Sequence, residues 1–154
     1  MRICLGLAFA FCLTSHAGEI TQNRSDSAQE DLQKLAGTWK MESLEIEGKQ
    51  IERDRFSATK LTVRGDKYIV KTAKSEYQVT LRLDPSGKPK EIDMDFANGK
   101  EPSKVSKGIY DLDGDQFRLC RAQAAGAARP TEFATKPDSG LFLVVWKREK
   151  AAVR

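Results

Sequence analysis

Side chains that do chemistry are scarce in this sequence. It has one histidine, His16, and three cysteines, Cys4, Cys12 and Cys120. His16, Cys4 and Cys12 all fall within Met1–Ala17, a segment that reads as removable. Beyond it the chain keeps one thiol and no imidazole. A Ser-His-Asp or Cys-His pair therefore cannot form, because each needs an imidazole to take the nucleophile's proton. Zinc and copper lose their commonest ligand as well. No catalytic residue, no metal site and no cofactor is expected. Cys120 has no partner for an internal disulfide, so stability has to come from packing.

The carboxylates come closest to a functional pattern. Asp111-Leu112-Asp113-Gly114-Asp115 opens like a calcium loop. An EF-hand loop beginning at Asp111 needs Gly at 116 and Glu at 122, where the chain has Gln116 and Ala122. An Asp-Gly hairpin with solvated acids fits better. Glu91, Asp93 and Asp95 alternate with Ile92, Met94 and Phe96. That places the acids on a wet outer face rather than in an acid–base pair. Arg53 and Arg55 could hold an anion at the mouth of a barrel, but a solvated loop is the favoured reading.

Met1–Ala17 carries an early positive charge at Arg2, an apolar run from Ile3 to Leu13, and the small residues Ser15 and Ala17 about His16. This is the layout of a secretory signal peptide cleaved after Ala17. The apolar run is shorter than the 20 or so residues a bilayer span needs, so no stable membrane anchor is expected after cleavage. The protein is read as exported, to the periplasm or the cell exterior. An uncleaved anchor is the rival reading. Of the 154 residues, 31% are charged and 40% hydrophobic, the balance of a soluble globular domain. The net charge of +4 is small and its cations are interspersed with acids, so no nucleic-acid partner is expected.

The rest of the chain reads as one domain over 27–150, after a polar, disordered leader at 18–26. Ser27-x-x-Glu30 fits a capping box, and Leu32, Leu35 and Ala36 follow at helical spacing, predicting a short helix over 27–36. A strand follows over 38–46. Trp39 and Met41 share one face, while Leu44 and Ile46 have the opposite parity. Since side chains alternate along a strand, that switch demands a bulge near Ser43. Gln50–Thr59 reads as a loop or helical turn. Further strands fall at 60–64, 67–72, 76–83, 91–96, 108–112, 116–121 and 141–149. Gly65-Asp66, Asp84–Gly87 and Asp113-Gly114 make the turns between them. Ala122–Gly140 is the longest connection, with a short strand conceivable at 131–134. The last strand is apolar on both faces and so must be covered outside as well, by the N-terminal helix in this reading. Cys120 sits on the outer parity, either as a surface thiol or under such a cover.

About eight strands on short connections, each with one dry face, predict an all-β, antiparallel up-and-down barrel. A sandwich is the alternative. Gly37-Thr38-Trp39 on a first strand, after a short helix, resembles the opening of the lipocalin-like (calycin) barrels. That resemblance implies that Trp39 closes one end of the barrel, with a basic residue of the last strand lying over it. Arg148 is the matching residue, with Lys147 second. Leu35-x-Gly37-Thr38-Trp39, Leu112–Asp115, Leu119-Cys120 and Arg129–Phe133 also resemble a family of small secreted proteins abundant in planctomycete bacteria, over roughly residues 32–150. The family brings no established activity or ligand.

Three functions stay open. The inward sets include Trp39, Met41, Tyr77, Val79, Leu81, Met94, Phe96, Phe117 and Leu119. They could line a pocket for a small apolar or amphipathic ligand, and eight strands enclose just enough room for one. The same residues could instead simply fill the barrel, leaving a structural or interaction module of the cell envelope. An enzyme is the third class, with no nucleophile–base pair to support it. The sequence does not speak to oligomeric state.

Overall fold

Trp39 shows how the chain closes on itself. Its strand pairs on one side with the next long strand and on the other side with the last. The structure is a computed structural model. It describes residues 17–97 and 104–150, with side chains from Ser25 onward. Apart from Ala17, the segment read as a signal peptide lies outside the described residues.

One helix, α1 (Ala17–Leu35), precedes nine strands: β1 (Gly37–Ile46), β2 (Lys49–Gln50), β3 (Lys60–Arg64), β4 (Lys67–Lys71), β5 (Glu76–Asp84), β6 (Lys90–Asp95), β7 (Val105–Asp113), β8 (Gln116–Ala122) and β9 (Leu141–Arg148). All neighbours are antiparallel. β2 is a two-residue flap on the end of β1, and the remaining eight run in chain order until β9 pairs back onto β1. The result is a closed, eight-stranded up-and-down barrel with no open edge, as the alternation predicts.

The expected bulge is present. Between β1 and β9 the register shifts between Met41 and Ser43, so Met41 faces Trp146 while Leu44 faces Val144 and Ile46 faces Phe142. Residues directly opposite in a ladder share a face. The extra residue therefore returns Leu44 and Ile46 to the inner side that Trp39 and Met41 occupy. The turns at Gly65-Asp66 and Gly114-Asp115 each join strands through two residues. Gly65 and Gly114 take φ of 57° and 54°, which a side chain would resist and a primed hairpin turn requires.

Four sequence expectations are corrected. The helix begins at Ala17 rather than at 27, so Ser27 lies inside it and the stretch read as a disordered leader is helical. That stretch has no apolar stripe to announce itself. Helix propagates from the half that packs through Leu32 and Leu35. β7 starts at Val105, three residues before the expected Gly108. No strand forms at 131–134. The connection from Gln123 to Gly140 is instead a strap across the outside of the barrel. Arg129 bonds the carbonyls of Ile92 and Gly108 at 3.0 and 2.6 Å, the Cys120 thiol meets the Ala134 carbonyl, and Thr135 donates to Glu45. Since Cys120 lies opposite Leu143, the strap, not the helix, covers the outer face of β9.

Candidate functional site

The two ends of the barrel differ. At the end where α1 enters, Trp39 is fully buried and its indole N–H donates to the Leu35 carbonyl at 2.9 Å. The Arg148 guanidinium lies over the Trp39 ring, 4.0 Å from its centroid. The same guanidinium donates to the carbonyls of Ala36 and Lys34. These are the orphan acceptors at the end of α1, where a cation also meets the negative end of the helix dipole. One arginine thus joins the first strand, the last strand and the helix.

A second fastening lies beside it. Asp31 is 3% exposed. Its carboxylate accepts from Lys90 Nζ and from the Tyr110 hydroxyl, each at 2.7 Å. Burial alone raises the Asp31 carboxyl. The hydrogen bonds from Lys90 and Tyr110 and the charge of Lys90 outweigh it, so its pKa lies below the ordinary 3.8. For Tyr110, burial and then the bond to Asp31 push the phenol up.

Towards the other end the inner residues open to solvent. Along β5, Leu81 and Val79 are 3% and 0% exposed, and Tyr77 is 41% exposed. On β6, Ile92 and Met94 are buried and Phe96 is half-buried; on β9, Trp146 and Val144 are buried and Phe142 is half-buried. β1 repeats the gradient from Trp39 to Met41, Leu44 and Ile46. The floor is therefore solid, with Phe117 against Trp39 at 6.0 Å, and the mouth is an apolar rim. Tyr77 and Phe96 stack there, 6.4 Å apart.

Of the lining residues expected from the sequence, Trp39, Val79, Leu81, Met94, Phe117 and Leu119 are core. Met41, Tyr77 and Phe96 stand nearer the mouth. Several residues of the interior escaped the sequence reading, Tyr68, Ser106 and Arg121 among them. Tyr68 and Ser106 are buried and face inward. Arg121 does too, since it lies opposite Gly108 and Phe142 in its two ladders. Its parity with Phe117 and Leu119 was the signal. A charge at the end of a strand is ordinarily taken as solvated, which hid it.

The carboxylate clusters resolve into ion pairs. Asp111 binds Arg118 at 2.8 Å, and Glu91 and Asp93 clasp Arg129 at 3.1 and 2.8 Å. Asp95 is buried rather than wet, and accepts from the Ala97 amide. Arg53 reaches the Glu42 carbonyl at 3.4 Å beside an open groove of about 730 Å³ on the outside of β1 and β9. The lysines there are matched by acids: Lys40 and Lys60 close on Glu149, and Lys147 on Glu42. Among the described residues no three His, Cys, Asp or Glu side chains are placed to share a metal, and no helix is long and apolar enough to cross a membrane.

Cys120 is fully buried under the strap, and burial pushes its thiol up to about 11. The thiolate is the reactive form. A disulfide reagent at pH 8 is therefore expected to leave native protein almost untouched and to label one thiol per chain once denaturant is added. Rapid labelling of the native protein would mean the strap does not hold its place.

No family model matches the chain, and no curated protein or solved structure is significantly similar to it.

Proposed function

We propose that the protein is an exported, non-enzymatic barrel that binds a small amphipathic molecule at its open end. On this reading Met1–Ala17 is the export signal, and the chain is a member of the planctomycete secreted family whose motifs it resembles. The observation that carries the binding role is the exposure gradient along β1, β6, β8 and β9. Their inner side chains pass from buried at or near the helix end to half-buried towards the mouth, where Tyr77 of β5 is exposed as well. A barrel packed only for stability gains nothing from aromatic side chains left open at its rim, whereas a binding site is concave and mostly apolar.

The second reading is a filled barrel serving as an interaction module of the cell envelope. It is favoured by the solid floor, where Trp39, Tyr110, Phe117 and Trp146 are each at most 1% exposed. Titration with a naphthalene-based amphiphile separates the two, because Trp39 and Trp146 report on the interior. Saturable binding with a change in tryptophan emission is expected. A flat titration would transfer the protein to the interaction class.

A further inference from the structure

Arg121 is the inward-facing cation of the mouth, and the structure surrounds it in a particular way. Its guanidinium lies between two rings, 5.2 Å from the centroid of Phe96 and 4.8 Å from that of Phe142. Such stacking orients a guanidinium while leaving its edge free. Only Nη1 is engaged with the protein, on the Ala122 carbonyl at 3.1 Å and weakly on Ser106 Oγ at 3.5 Å. Among the described residues Nη2 and Nε have no acceptor, and Arg121 belongs to no ion pair. This sets it apart from Arg118, Arg129 and Arg148, each of which meets a carboxylate.

Among the described residues the surroundings offer donors and lack anions. The inward faces of the eight strands carry no Asp or Glu. Ser106 spends its own hydroxyl hydrogen on the Ala122 carbonyl. Deeper in, Trp146 Nε1 is buried with no hydrogen-bond partner. Lys104 joins Arg121 on the wall of a cleft of about 340 Å³ that Phe96, Ser106 and Gln123 also line. A half-buried charge without a counter-charge is costly. Burial does press the guanidinium's pKa down, with only the nearby phenols of Tyr68 and Tyr77 opposing it. An anion would relieve that cost, and Arg forks are suited to a planar carboxylate.

Resting on the binding reading above, we infer that the mouth takes an amphiphile with an anionic headgroup of the carboxylate class. The headgroup lies on the free edge of Arg121, and the apolar part lies against Phe96, Phe142 and the rim. Arg121 is then the residue that selects anions, and the aromatic rim is sequence-tolerant apolar surface.

The test compares amphiphiles with one tail and different heads: dodecanoate, dodecanol and dodecyltrimethylammonium, each kept below its aggregation point. Binding is followed by calorimetry and tryptophan emission, on wild type, Arg121→Gln and Arg121→Lys. Circular dichroism melts establish that each variant is folded. Dodecanoate is expected to bind wild type about tenfold or more tightly than dodecanol, since a hydrogen bond to a charged group outweighs a neutral one. Arg121→Gln should erase that preference, bringing dodecanoate to the affinity that the same variant shows for dodecanol, and Arg121→Lys should keep part of it. Added salt should weaken dodecanoate and leave dodecanol unmoved. Equal binding of dodecanoate and dodecanol by wild type overturns this inference and leaves the binding site standing. So does an undiminished preference in Arg121→Gln, or a preference for the cationic head. Failure of every amphiphile to bind overturns the inference and the proposed function together.

Discussion

Trp39→Ala is expected to lower the free energy of unfolding by about 3–5 kcal/mol, the range for truncating a large buried aromatic. That is a large share of the roughly 5–15 kcal/mol that holds a domain of this kind. The side chain is fully buried, packs on Phe117, donates to the Leu35 carbonyl and carries the Arg148 guanidinium on its face. Its removal opens a cavity and takes away the surface on which Arg148 rests, so the last strand and the end of α1 lose their shared anchor. Trp39→Phe should cost less, since the ring face survives and the indole N–H does not. Denaturant melts followed by far-ultraviolet dichroism give the comparison. A loss below about 1 kcal/mol in the alanine variant would contradict the packing described for this end.

Asp31→Ala is expected to cost about 2–3 kcal/mol at pH 7, because it strands the buried Tyr110 hydroxyl and strips Lys90 of its counter-charge. Lys90 is partly exposed and regains water, so the loss stays below that of a fully buried pair. Asp31→Asn keeps an acceptor for Tyr110 and should cost about half as much. The pH dependence follows from the direction of the shift. Asp31 has a folded-state pKa below its unfolded value of 3.8. Its contribution is therefore complete above the unfolded value and fades as pH falls through the folded one. Melts of wild type and Asp31→Asn should differ at pH 7, and the gap should shrink as the pH falls below 3.8 and through the lower folded-state value. A gap of constant size at every pH would show that the charge of Asp31 plays no part.

The barrel was readable from side-chain parity, where the switch between Met41 and Leu44 announced the bulge. The closed end was not: the pairing of Trp39 with Arg148 was implied only by the resemblance of the Gly-x-Trp strand to the opening of lipocalin-like barrels. What stayed hidden depended on contacts distant in sequence. Asp31 looks like any polar helix residue until Tyr110 and Lys90 arrive from β7 and β6. The strap has no periodicity, because side-chain anchors such as Arg129 hold it rather than a ladder. Arg121 had the inward parity throughout. Hydrophobic pattern alone cannot tell a charge that faces a cavity from one that faces water.

Arg148 reaches the carbonyl of Ala36, 112 residues away in the chain. That distance has a kinetic meaning. Every other ladder of the barrel joins strands consecutive in sequence, apart from the flap β2, and can zip as it emerges. The seam between β1 and β9 must wait for the last strand, and it carries the entropy of closing nearly the whole domain as one loop. Until then β1 offers a bare edge on the growing chain, of the kind that invites pairing with another molecule. Lys40, Glu42 and Glu45 along β1 are placed to discourage that pairing, since charge on a strand blunts its tendency to aggregate. Capturing the end of α1, stacking on Trp39 and sealing the seam then fall to the same late event. The barrel is expected to be all or nothing in its final step, with the last few residues of β9 setting the rate.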